Sequence, residues 1–272
     1  MPEAPESQTL VDNLKKLTQG QRLTGVTAVG GRYASKAIPG LTQEFIDSSH
    51  PIENIRRHGK AIVFDLSTHD HIVVTLGMTG KFSLQKEKHA SVEFEYGDAL
   101  EKKKFYFVDQ RRFGTVRIIP TSKLESTLPK LGWDALTEEV DTERVKADLN
   151  DVKANTCVGT ALLDSSVFSG IGNYLRAEIL YEAGVSPWKH CSDLSEKNIQ
   201  DICEQSRKIT LRSYELGGNT IENFVDLEGG SGKFFAELKV YGKRKDPDGN
   251  EVIAEKTPEG RTIHWVPATQ VK

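Results

Sequence analysis

Ser169-Gly170-Ile171-Gly172-Asn173 stands between two stretches of helical spacing, and its reading divides the chain. Two glycines in three positions make a tight turn, and Asn173 opens a run in which Leu175, Ile179, Leu180 and Ala183 share one face before Gly184 and Pro187 end it. Such a turn presents the unsatisfied N–H groups of a helix's first turn, which suit a phosphate, and Asn173 can add a side-chain donor. A plain helix hairpin would use the same turn, so these five residues leave both readings open.

Working outward, the spacing predicts helices over Thr137–Leu149, with Thr137 as N-cap, over Gly159–Phe168 and over Ser195–Leu216. Upstream the pattern changes. Short β-rich runs at 22–29, 60–66, 71–76, 81–84, 91–96, 104–108 and 114–119 read as an antiparallel sandwich or barrel, flanked by helices over 8–17 and 42–48. Residues 120–132 serve as a linker. Downstream, 217–232 reads as a glycine-rich mobile loop, and strands are expected at 235–241, 251–255 and 261–266. The last two meet at Thr257-Pro258-Glu259-Gly260, which sets Arg261 at a hairpin tip. The expected fold is α+β and multidomain: an N-terminal β-sandwich over 1–130, an all-α domain over 131–232 and a β-hairpin over 233–272.

The net charge of −3 and a pI near 6.2 exclude a strongly basic protein. Cations nevertheless cluster at Lys102, Lys103, Lys104, Arg111 and Arg112, and at Lys239, Lys243, Arg244 and Lys245. A solvated face is the commoner explanation of any one such run. Cys157, Cys191 and Cys203 show neither C-x-x-C pairing nor a His-rich neighbourhood, so neither disulfides nor a zinc site is expected. No apolar run approaches the ~18 residues of a membrane span, and the N-terminus lacks signal-peptide regions, so the expectation is an intracellular protein that does not enter membranes.

The chain begins Met1-Pro2-Glu3-Ala4-Pro5-Glu6. Removal of Met1 would leave a secondary amine at Pro2 beside a carboxylate at Glu3. An α-amino group titrates near ~7.7 to 8.0, so much of it is neutral at physiological pH and able to form a Schiff base, which a lysine near ~10.4 achieves only when perturbed. Glu6 could equally be a first-turn charge anchoring the terminus.

Together the Pro2-Glu3 start, Arg56-Arg57-His58-Gly59-Lys60, Leu76-Gly77-Met78-Thr79-Gly80, Asp109-Gln110-Arg111-Arg112-Phe113-Gly114, the Gly170–Asn173 turn and Gly260-Arg261-Thr262 resemble, in order, the formamidopyrimidine-DNA glycosylase and endonuclease VIII family. The resemblance implies a helix-two-turn-helix domain for 131–232. It also implies an enzyme of base excision repair that extrudes an oxidised base from damaged double-stranded DNA, expels it and nicks the abasic site by β,δ-elimination through a Schiff base on the N-terminal proline. By this resemblance Pro2 is the nucleophile, Glu3 the acid/base and Lys60 their assistant beside the phosphate. Met78, Arg111 and Phe113 fill the vacated space, and Arg111, Asn173 and Arg261 bind DNA. For Met78 and Phe113 the competing reading is core packing.

Many relatives close their hairpin with a four-cysteine zinc site, but residues 235–272 contain no cysteine. The family's zincless-finger branch is therefore implied, with the turns at Asp246-Pro247-Asp248-Gly249 and Thr257–Gly260, Tyr241 and Trp265 holding the hairpin and with no metal or cofactor. Ala4, Ser7 and Gln8 depart from the usual Leu, Val and Glu. The expected particle is a monomer. A non-catalytic helix-two-turn-helix nucleic-acid binder is the alternative; a metal-dependent nuclease is disfavoured because no carboxylate or His cluster stands out.

Overall fold

The computed structural model describes residues 2–98, 100–219, 227 and 230–271. They form two compact units: residues 2, 6–98, 100–129, 217–219, 227 and 230–232 make the first, and residues 3–5, 130–216 and 233–271 the second.

Helix α1 (Ala4–Thr18) buries Leu10, Val11 and Leu14 in the apolar core of the first unit. That unit contains an antiparallel ladder of eight strands: β1 (Arg22–Ala28), β2 (His50–His58), β3 (Ala61–Leu66), β4 (Asp70–Thr75), β5 (Gly80–Ser83), β6 (Ala90–Gly97), β7 (Lys102–Asp109) and β8 (Thr115–Pro120). Their order is β5-β7-β6-β1-β2-β3-β4-β8. Only two residue pairs join β1 to β2, Arg22 with Pro51 and Leu23 with His50, so the ladder folds there. Its halves face each other through aromatic rings: Phe64 of β3 lies 6.0 Å from Phe94 of β6 and 6.1 Å from Phe105 of β7. The expected sandwich is thus one continuous sheet packed on itself.

Strand β2 was missing from the expected set, because its burial does not alternate and Ile55 is its main core residue. Helix α2 (Gln43–Ile46) is capped by Thr42, and the segment expected to be a linker contains helix α3 (Thr121–Thr127).

The second unit contains α4 (Thr142–Asp151), α5 (Val158–Ala161), α6 (Asn173–Glu182) and α7 (Glu196–Glu215). Helix α4 starts later than expected because Asp141, not Thr137, accepts the capping N–H of Arg144. The helix expected over 159–168 stops after Ala161, and the Asp164 carboxylate draws in Ser166 instead. Helix α7 carries a reciprocal capping box between Ser195 and Asn198. The C-terminal strands β9 (Ile253–Lys256) and β10 (Thr262–Trp265) pair antiparallel. No strand forms over 235–241: residues 234–237 make a 3-10 turn, and the N–H groups of Lys239, Val240 and Tyr241 donate to the Glu178 carboxylate. Most of the loop expected at 217–232, namely residues 220–226, 228 and 229, lies outside the described residues.

Candidate active site

In the second unit, the turn at Gly170 (φ +81°) leads to Gly172, which N-caps α6 without a side chain of its own. The carboxylate of Glu3 takes that role. It accepts from Gly172 N at 2.7 Å, Tyr174 N at 3.0 Å and Leu175 N at 3.3 Å, and is only 3% exposed. A Cβ at Gly172 would lie 2.2 Å from Glu3 Cδ, so glycine is required for this approach. Ala4 N donates to Gly170 O at 2.9 Å, pinning the next residue as well. The anion seat expected at the glycine turn therefore exists, but the protein's own carboxylate fills it.

Asn173 turns its side chain elsewhere. Its Nδ2 donates to Thr262 O at 2.8 Å, and its Oδ1 accepts from Arg176 Nη2 at 2.6 Å. Arg176 is fully buried; its Nη1 donates to Gly159 O and to Glu259, both at 2.8 Å. Burial pulls the guanidinium below its ordinary pKa, against the upward pull of Glu259. Because a guanidinium only donates, it fixes the Asn173 amide with Oδ1 toward Arg176 and Nδ2 toward Thr262 O. Glu259 belongs to the turn closed by Thr257 N to Arg261 O at 2.9 Å, and Arg261 is exposed at its end. One network thus joins the two DNA contacts expected in this unit.

Arg176 is absent from the residues expected at the site, and Glu259 was expected only as part of a turn. The available signal was a cation and a carboxylate, Arg176 and Glu178, on an otherwise apolar buried stretch of α6.

In the first unit, Pro2 is buried. Lys60 lies at the β2–β3 hairpin, in the two-residue turn begun by Gly59 at φ +60°. Lys60 O accepts from Ser7 Oγ at 3.2 Å, which brings the turn to the first turns of α1, a few residues after Pro2.

Met78 is 43% exposed and Phe113 54% exposed, so neither is a core residue. The Arg111 guanidinium lies 5.0 Å from the Phe113 ring centroid, a cation–π pair. The basic run before them is spent differently: Lys102 pairs with Glu95, Lys103 with Glu101 and Lys104 with Glu93. It is a solvated set of ion pairs, two of them between strands β6 and β7.

Among the described residues no group of three His, Cys, Asp or Glu side chains could hold a metal, and no helix is long and apolar enough to cross a membrane. In place of thiolates, Val240, Val252 and Val266 of the C-terminal segment form a small apolar cluster with Ala177 of α6, and Tyr181 and Tyr241 lie against it. Trp265 is buried and donates to Glu255 at 2.9 Å.

The chain matches the formamidopyrimidine-DNA glycosylase N-terminal domain over residues 1–116, the H2TH domain of that enzyme over 131–225 and its C-terminal domain over 232–271. It is 32% identical over 286 residues to formamidopyrimidine-DNA glycosylase of Listeria monocytogenes serotype 4b, covering 99% of this chain and 100% of that one. The enzyme of that name from Carboxydothermus hydrogenoformans is 31% identical with the same coverage. Among solved structures, the Lactococcus lactis protein in complex with DNA containing an abasic site superposes with a TM-score of 0.85 at 27% identity, over 99% of this chain and 100% of that one. The Thermus thermophilus protein gives 0.85 at 27% identity over 99% and 98%.

Proposed function

This chain belongs to the formamidopyrimidine-DNA glycosylase family, and from that premise we propose that it is a bifunctional DNA glycosylase and abasic-site lyase that removes oxidised bases from duplex DNA, acting as a monomer. Pro2, freed of Met1, is the nucleophile. Its neutral amine attacks C1′ of the extruded nucleotide, the C1′–N bond to the base breaks, and ring opening gives a Schiff base. Glu3 moves the protons of ring opening. Successive β- and δ-eliminations then expel the two phosphates, and hydrolysis returns the amine. Lys60 assists beside the phosphate, and an amine with a carboxylate needs no metal for any of these steps.

The single observation that carries this reading is the seating of Glu3: a buried carboxylate held by three main-chain N–H groups at the head of α6, with Pro2 adjacent in the chain. A helix cap alone would need no proline amine next to it. Asn173 and Arg261 serve as phosphate contacts, which fix register without reading sequence. Met78, Arg111 and Phe113 occupy the space left by the extruded base.

Borohydride added to the protein with an abasic-site duplex tests the reading. A glycosylase-lyase becomes covalently trapped, with EDTA making no difference. A protein that binds the duplex and is never trapped is the non-catalytic alternative.

A further inference from the structure

Asp109 ends β7 opposite Gly80 of β5, and it is 2% exposed. Its Oδ1 accepts from Thr79 Oγ1 at 2.6 Å and from Arg111 N at 3.2 Å, while Oδ2 accepts from Gly114 N at 2.6 Å. Thr79 Oγ1 itself accepts from Arg111 N at 3.0 Å. These bonds reach two distant segments. Thr79 follows Met78, and Arg111 and Gly114 bracket Phe113.

The main chains are close enough that a Cβ at Gly77 would lie 2.7 Å from Gly114 N. Between the two tethered N–H groups, Arg112 adopts φ +58°. A non-glycine residue keeps that conformation where its surroundings over-determine it, and such strain gathers at functional sites. Here the carboxylate supplies the constraint on both sides.

We propose that Asp109 is a positioning residue for DNA engagement: its buried carboxylate braces the Met78 loop against the Arg111–Phe113 loop, so that the three side chains enter the vacated base position as one preassembled wedge. The inference rests on the void-filling role given to those side chains above. A wedge ordered before binding avoids the entropy of ordering it at the moment the base leaves the stack. A carboxylate suits this brace because it accepts at both oxygens. An asparagine of the same size must turn its amide nitrogen toward one of the donors.

Two variants test it, Asp109→Asn and Thr79→Val, the second removing the hydroxyl that links Asp109 to Arg111 N. Each is assayed for single-turnover excision from a lesion-bearing duplex and for borohydride trapping on a single-stranded abasic oligonucleotide, which has no opposite base to support. Duplex excision is expected to fall about 10- to 100-fold while single-strand trapping stays within about twofold. Unchanged duplex excision, or an equal fall on both substrates, overturns the role. If Asp109→Asn loses cooperative melting, Thr79→Val decides by the same two rates. Wild-type protein that traps on neither substrate overturns the proposed function and this inference with it; active wild type with unchanged variants overturns the Asp109 role alone.

Discussion

The sandwich of the first unit and the hairpin of the second are both β-structure, yet they are held by different forces. In the sandwich, Phe64, Phe94 and Phe105 stack in one cluster, with Phe94 and Phe105 at 4.8 Å between centroids, and Phe82 meets Phe64 and Phe105 edge-on. In the hairpin, Ile263 and Trp265 are the buried residues of two four-residue strands, and polar groups add to the holding: Glu178 receives three N–H groups, Arg176 meets Glu259, and Asp246 accepts from Asp248 N and Asn250 N. An isolated two-stranded hairpin is marginal in water. Where apolar area runs short and residues 235–272 offer no thiolate for a metal, buried carboxylates that accept several N–H groups, and the Arg176–Glu259 pair, take over.

The contrast is tested most strongly from its apolar side. Phe64→Ala should cost about 3–5 kcal/mol, read by chemical denaturation, because the neighbouring rings cannot close the cavity. A loss below about 1 kcal/mol would mean that the ring cluster does not carry the sandwich.

Glu178→Gln comes next. Burial pushes the Glu178 carboxyl above its ordinary range, against the three N–H groups that favour its charge. A glutamine cannot accept all three, so about 1–3 kcal/mol should be lost, with faster hydrogen exchange at Lys239, Val240 and Tyr241. Unchanged exchange there would remove Glu178 from the account.

Glu259 adds a pH signature. Burial raises its carboxyl, but hydrogen bonds from Thr257, Thr160 and Arg176 outweigh that and hold it below the ordinary value of 4.5. A carboxyl lowered in the fold adds stability above its unfolded pKa and loses it as pH falls through the folded one. The melting difference between wild type and Glu259→Gln should therefore be level from neutral pH down to about 5 and close at more acid pH. A difference that ignores pH would contradict the role of the ionised pair.

The smallest effect separates two kinds of surface cation. Arg261→Ala should lower the slope of log affinity against log salt by about one unit, whereas Lys102→Ala should leave it unchanged, since Lys102 is already paired with Glu95. Equal slopes in both variants would erase the distinction.

These regions were also unequally legible in the sequence. Strands such as β4 could be read because Ile72, Val73 and Val74 form a continuous apolar run buried on both faces, and α7 because Ser195 marks its start. Strand β2 escaped because Ile55 is its main core residue, and 235–241 was misread as a strand because its N–H groups go to a carboxylate some 60 residues away. No local pattern encodes that. Pro2, Glu3 and Lys60 were named from family resemblance, but the seating of Glu3 on Gly172, 169 residues on, belongs to the fold. Likewise, exposure distinguishes Met78 and Phe113 from core residues, and spacing alone could not.

The most direct test locates the covalent bond. After borohydride trapping on an abasic duplex, the protein is digested and the sugar adduct mapped by mass spectrometry. An adduct is expected on the N-terminal peptide at Pro2, with Met1 absent, and none after an added N-terminal residue blocks that amine. An adduct on Lys60, or full trapping by the extended protein, would contradict it.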